Sequence, residues 1–175
     1  MPRGVRDRMA RYAEDWSARG VRAWGGDDGW WDMPARVGNE IAPLIGAHDG
    51  EVVMMPNVTL AQASVLSSLT YTPPRNRIVM TELDFPSVRY LYQSLATRLG
   101  AEIVVAPASA DGLGVDMDRL LSMIDERTKL VALPLMSNVL GTINPVAQIA
   151  AAAHAVGAKV LVDAAQAAPH IRIDV

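Results

Sequence analysis

Apolar residues in this chain gather into short unbroken runs separated by helical patterns, and that alternation begins only after residue 50. EVVMM (Glu51 to Met55), RIVM (Arg77 to Met80), EIVVA (Glu102 to Ala106), KLVAL (Lys129 to Leu133) and KVLV (Lys159 to Val162) read as strands. Their apolar positions are consecutive rather than alternating, as in strands covered on both faces. A helix is expected over Val58 to Leu69. Pro86 opens another, with Val88, Leu91, Tyr92, Leu95 and Leu99 on one face and Gly100 as its stop. After an Asp111-Gly112 turn a third spans about Asp116 to Asp125. Pro145 opens a fourth, carrying Val146, Ile149, Ala150 and Ala153, with Gly157 at its end. Strands alternating with helices of this length predict βαβ units, and so an α/β fold: a mainly parallel sheet, right-handed crossovers and helices on both faces.

The first 50 residues have another character. An Arg-rich helical stretch runs to about Arg19, GGDDGWWD follows from Gly25 to Asp32, and a helix starts near Pro34 and heads towards Ile45. The expected organisation is an N-terminal helical and irregular segment over 1–50 and a sheet-bearing part over 51–175. Trp24, Trp30 and Trp31 either line a substrate entrance or bury against the sheet.

Length and composition narrow the class. A chain of 175 residues, half apolar and a fifth charged, suits one soluble globular core. A net charge of -3 gives no general attraction to nucleic acid, and zero Cys excludes disulfides, thiolate metal sites and a Cys nucleophile. The most apolar stretch, Ile149 to Pro169, is interrupted by His154, Lys159 and Asp163, so no membrane span is expected. Asp7, Glu14 and Asp15 among the N-terminal arginines favour a solvated helix over a transit peptide, which leaves the cytoplasm as the address. His48, His154 and His170 have no metal-ligand spacing; His154 falls within a helix, and His170 lies near enough to a strand tip to approach a pocket there.

In open α/β sheets ligands bind beyond the carboxyl ends of the strands, a rule that selects four segments here: PNVT (Pro56 to Thr59), ELDFPS (Glu82 to Ser87), SNVLGT (Ser137 to Thr142) and DAAQ (Asp163 to Gln166). PNVT opens a helix whose first N–H groups lack partners, a ready anion site; Asn57 or Thr59 as a simple cap fits equally. Phe85, the only Phe, can stack on a planar ring or staple the following helix. Asn138 offers an amide to a ligand oxygen if buried, or forms a turn with Gly141. Asp163 ends an apolar strand, where a charge is costly unless a cation faces it. A pyridinium nitrogen, as in pyridoxal phosphate, is a cation whose protein partner is characteristically an Asp. A structural Asp capping the next segment fits the same spacing.

Taken together, these segments resemble the class V aminotransferase group of pyridoxal phosphate enzymes, which includes cysteine desulfurases and kynureninase. The likeness runs from Asp111-Gly112 through Asp116 to Asp118, RTKLVA (Arg127 to Ala132), SNVLGTINPV (Ser137 to Val146) and VDAAQAAPH (Val162 to His170). GWWD, IGA, GEVV and FPSVRY in the earlier half are similar to the kynureninase branch. Val88 stands where kynureninases usually have Asp and Gln166 where they tend to have His, and AAQAAPH has the desulfurase and general aminotransferase form. The resemblance implies the large domain of a fold type I transferase, incomplete here, acting on an amino acid by transamination or by kynureninase- or desulfurase-type lyase chemistry. It implies a homodimer in the complete protein, with a small-molecule amino-acid substrate as partner and neither nucleic acid nor membrane. It also implies roles: Val58 and Thr59 on the cofactor phosphate, Phe85 on the pyridine ring, and Asn138 on its phenolic oxygen or the substrate. Asp163 would pair with the pyridinium nitrogen and Gln166 with the phenolic oxygen.

Such enzymes hold the cofactor as a Schiff base with a lysine, in the family commonly within a Ser-x-His-Lys stretch beyond DAAQ. The two lysines here, Lys129 and Lys159, both open strands and so belong to the opposite edge of the sheet. The chain alone is therefore expected to lack turnover, as the N-terminal portion of a larger enzyme. A non-catalytic remnant or one half of a split enzyme, serving as an interaction module, is the alternative.

Overall fold

Side-chain alternation along the two middle strands of a parallel sheet feeds two separate cores. In this computed structural model, which describes residues 2–168 and 170–175, the elements run α1 (Val5–Arg19), α2 (Met33–Ile41), α3 (Val58–Ser68), β1 (Arg77–Thr81), α4 (Pro86–Leu99), β2 (Glu102–Ala106), α5 (Met117–Met123), β3 (Thr128–Pro134), α6 (Val146–Ala155) and β4 (Lys159–Asp163). The sheet has the order β2-β1-β3-β4, and every pairing is parallel. Ile78 and Met80 of β1 join Leu130 and Ala132 of β3 on one face, against Leu66 of α3 and Val88 and Tyr92 of α4. Val79, Val131 and Leu133 point the other way, onto Leu120 of α5 and Ile149 and Ala153 of α6. This explains why the strands read as unbroken apolar runs. The expected two-sided burial holds for β1 and β3; in the outer strands Val105 and Val162 are exposed.

The connections place the functional edge. From β1 the chain crosses by α4 to β2 on one side; from β2 it returns by α5, on the opposite face, to β3 on the other side of β1. Reversing direction and face together keeps one hand for both crossovers. It also makes the gap between the carboxyl ends of β1 and β3 a topological switch point, where open α/β sheets bind ligands.

By contacts the chain divides into two compact units, residues 1–55 with 173–175 and residues 56–172. In the first, α2 gives way to a 3-10 turn at Ala42–Ile45, because Pro43 has no N–H for an α-helical bond. EVVMM, expected as a strand, pairs with no ladder. It crosses α2 instead: Met54 N donates to Pro34 O, and a Cβ on Gly38 would lie 2.0 Å from the Val52 carbonyl. Only glycine permits that approach. Trp24 and Trp31 are exposed rather than buried, and they stack on each other at 6.2 Å, while Trp30 stacks on Tyr12 at 4.5 Å. Among the described residues no helix is long and apolar enough to cross a membrane.

Candidate functional site

The carboxyl ends of β1, β3 and β4 and the start of α3 surround a cavity of about 270 Å3. Val58, Thr59, Phe85, Asn138, Asp163 and Gln166, selected above from four separate segments, all line it.

The wall from α3 follows from its cap. Asn57 has extended backbone, and its side chain accepts from Leu60 N at 2.9 Å while its carbonyl accepts from Ala61 N. The N–H groups of Val58 and Thr59, at the first two helical positions, have no helical carbonyl to bond. Asn57 is thus the cap, and the N–H groups of Val58 and Thr59 keep no helical partner. Thr59 Oγ1 also shares a hydrogen bond of 3.3 Å with Ser87 Oγ, linking α3 to the start of α4. Asn57→Ala is expected to lower stability by about 1 kcal/mol, read as a lower urea midpoint; an unchanged midpoint would show that the cap carries no weight.

Phe85 is set by the turn after β1. Asp84, 7% exposed, accepts from Thr81 N at 2.6 Å and from Thr81 Oγ1 at 2.9 Å, which folds Glu82 to Asp84 tightly back on the strand. The Phe85 carbonyl accepts from Val88 N and Arg89 N, capping α4 with backbone and leaving the ring exposed on the cavity. A hydrophobic staple would bury that ring, which instead faces the cavity.

Asn138 is exposed on the rim, not buried as its proposed use supposed. It rides a loop closed by Ser137 N to Thr142 O and Gly141 N to Ser137 O, with Gly141 at φ 68°, so the turn alternative holds as well. The buried Asn of this segment is Asn144, whose Nδ2 donates to Pro134 O at 2.8 Å and pins the loop to the end of β3. Gln166 is exposed in a turn held by Ala167 N and Ala168 N on Ala164 O. His170 and His154 are exposed, and neither lines the cavity.

Asp163 is half-buried and touches only neutral donors: Ala165 N gives to Oδ1 at 2.9 Å, and Gln62 Nε2 gives to Oδ2 at 3.3 Å. Among the described residues no Lys, Arg or His forms an ion pair with it. Gln62 and Asp84 escaped the sequence reading. Gln62 carries a weak signal, a polar residue one turn before the core residue Leu66; Asp84 carries another, an acid between Leu83 and Phe85 directly after a strand. Burial raises the Asp84 carboxyl to about 6; the Thr81 hydrogen bonds and Arg89 oppose this, and the charge of Asp163 adds to it.

Comparison with known proteins gives these residues a context. The family described as aminotransferase class-V matches residues 1–175. A cysteine desulfurase of Dickeya dadantii (strain 3937) is 41% identical over 139 residues, covering 78% of this chain and 34% of that protein. The apo structure of the cysteine desulfurase from Thermococcus onnurineus NA1 superposes with a TM-score of 0.75 at 27% identity, over 99% of this chain and 44% of its own. A C-DES mutant with glycine covalently linked to its PLP cofactor superposes at 0.80 with 21% identity, over 99% and 46% of the two chains, a likeness of fold. The chain thus spans about a third of the length of the curated relative and somewhat under half of the solved chains. With every residue inside the family match, and with the SNVLGT and DAAQ segments meeting at one cavity, this chain belongs to the class V aminotransferase family of pyridoxal-phosphate-dependent enzymes.

Proposed function

We propose that residues 56–172 form the non-covalent half of a pyridoxal phosphate site in an enzyme of cysteine desulfurase type, which acts at Cα of an amino acid. The observation that carries this reading is a single cavity that joins a carboxylate with no cation partner among the described residues, an exposed aromatic ring and a helix N-terminus with free N–H groups. The donor set fits the cofactor part by part. Val58 and Thr59 would hold the phosphate at the positive end of α3. Phe85 would cover the pyridine ring, and the rim amides of Asn138 and Gln166 would bond its phenolic oxygen. Asp163, with both oxygens already held by neutral donors, would keep a proton on the ring nitrogen. When bound, pyridoxal phosphate supplies an electron sink for charge released at the substrate Cα. The relatives' names supply the desulfurase type; the chain has no cysteine, so a thiol receiving sulfur would come from outside these residues. The same family reading makes the complete protein a cytoplasmic homodimer.

The covalent tether has to come from elsewhere. Lys129 and Lys159 sit at the starts of β3 and β4, about 17 and about 13 Å of strand from the cavity edge. The chain is therefore expected to bind pyridoxal phosphate reversibly, measured by equilibrium dialysis, with borohydride treatment fixing it to neither lysine. Stoichiometric labelling of Lys129 or Lys159, or no binding at all, would overturn this reading.

A further inference from the structure

Gln62 and Leu66 are the two buried residues of α3, on the helix face that meets the sheet. Leu66 belongs to the apolar core, yet one turn earlier the same face carries an amide that is only 4% exposed. That amide is half satisfied: Nε2 donates to Asp163 Oδ2 across 101 positions of sequence, and Oε1 has no partner. A buried amide oxygen without a donor costs stability that an apolar residue of similar size would not. Such a breach of the packing rules is characteristic of functional positions. The opposite amide orientation would set Oε1 against the carboxylate, so a charged Asp163 fixes which end of Gln62 it meets.

We infer that Gln62 is a positioning residue for Asp163: by fixing Oδ2 from α3 while Ala165 fixes Oδ1 from the turn after β4, it locks the carboxylate plane towards the cavity. The arrangement ties the group that meets the ring nitrogen to the same helix whose N-terminus meets the phosphate. One rigid element thereby sets the spacing between the two ends of the ligand. A lone backbone donor at Oδ1 would leave the carboxylate free to rotate, and its bond to a ring N–H would weaken with misalignment. The inference rests on the cofactor reading above.

The test uses the full chain and pyridoxal phosphate labelled with 15N in the ring. Gln62→Leu and the unbranched Gln62→Met both remove the donor, so one remains informative if the other does not fold. Each is expected to unfold at a urea concentration no lower than that of the wild type, because the orphan oxygen goes with the donor. Each is also expected to bind the cofactor about tenfold more weakly, with the ring nitrogen losing its proton at lower pH by 15N NMR. Variants that lose stability while the 15N titration stays in place would assign Gln62 a merely structural role and overturn the inference, leaving the cofactor reading intact. A wild-type chain that binds but whose ring nitrogen is never protonated would instead overturn the Asp163 assignment on which the inference stands.

Discussion

Asp163→Asn is expected to weaken pyridoxal phosphate binding by about 30-fold and to leave the ring nitrogen largely unprotonated near neutral pH. Asn keeps the shape of Asp and an oxygen for the Ala165 N–H, so the turn after β4 retains its hydrogen bond. What disappears is the charge facing the cavity, together with the oxygen that accepts from Gln62 Nε2. A hydrogen bond to an ionised partner is worth about 2 kcal/mol, which at 1.4 kcal/mol per decade gives the quoted loss. Desolvation points the same way, since among the described residues no cation pairs with the half-buried Asp163. Equilibrium dialysis supplies the affinity, and the 15N shift of ring-labelled cofactor supplies the protonation state. Equal affinity with a protonated ring in the variant would mean that Asp163 is not the partner of the ring nitrogen.

The parts legible in the sequence were those governed by local rules. Unbroken apolar runs gave the four parallel strands, and Pro86 and Gly100 bounded α4 to the residue. The carboxyl-end rule then selected four segments far apart in the chain, and the structure gathers all six named residues at one cavity. The failures are as physical as the successes. EVVMM has the composition of a strand, but no sheet edge pairs with it; contact with α2 at Gly38 decided its course, and that contact is invisible in a local window. Asn138 and Asn144 both sit in polar-looking loop sequence, and only packing shows that Asn144 is the buried one. Gln62 was hidden because its partner, Asp163, lies 101 residues away. The long-range polar pairs under the site are what a single sequence does not disclose.

Asp84 yields the second large effect, in the pH dependence of stability. Its carboxyl is pushed from 3.8 up to about 6, first by burial, with the charge of Asp163 adding to the rise and the Thr81 N–H, the Thr81 hydroxyl and Arg89 opposing it. In the folded chain Asp84 therefore holds its proton over a range where the unfolded chain has released it. The stability this group contributes is complete below about pH 4 and is lost as pH rises through about 6, a difference of roughly 3 kcal/mol. Asn in its place can still accept from Thr81 N and Oγ1 through one oxygen and does not titrate. Urea unfolding of wild type and Asp84→Asn should therefore diverge with pH: relative to the variant, the wild type loses roughly 3 kcal/mol between pH 4 and 7. A difference that stays flat over that range would mean that Asp84 titrates as an ordinary carboxyl. The charge of Asp163 is a smaller cause of the rise than burial, so a cation held against Asp163 would lower the Asp84 carboxyl only in part, and the wild-type slope should persist in the loaded protein.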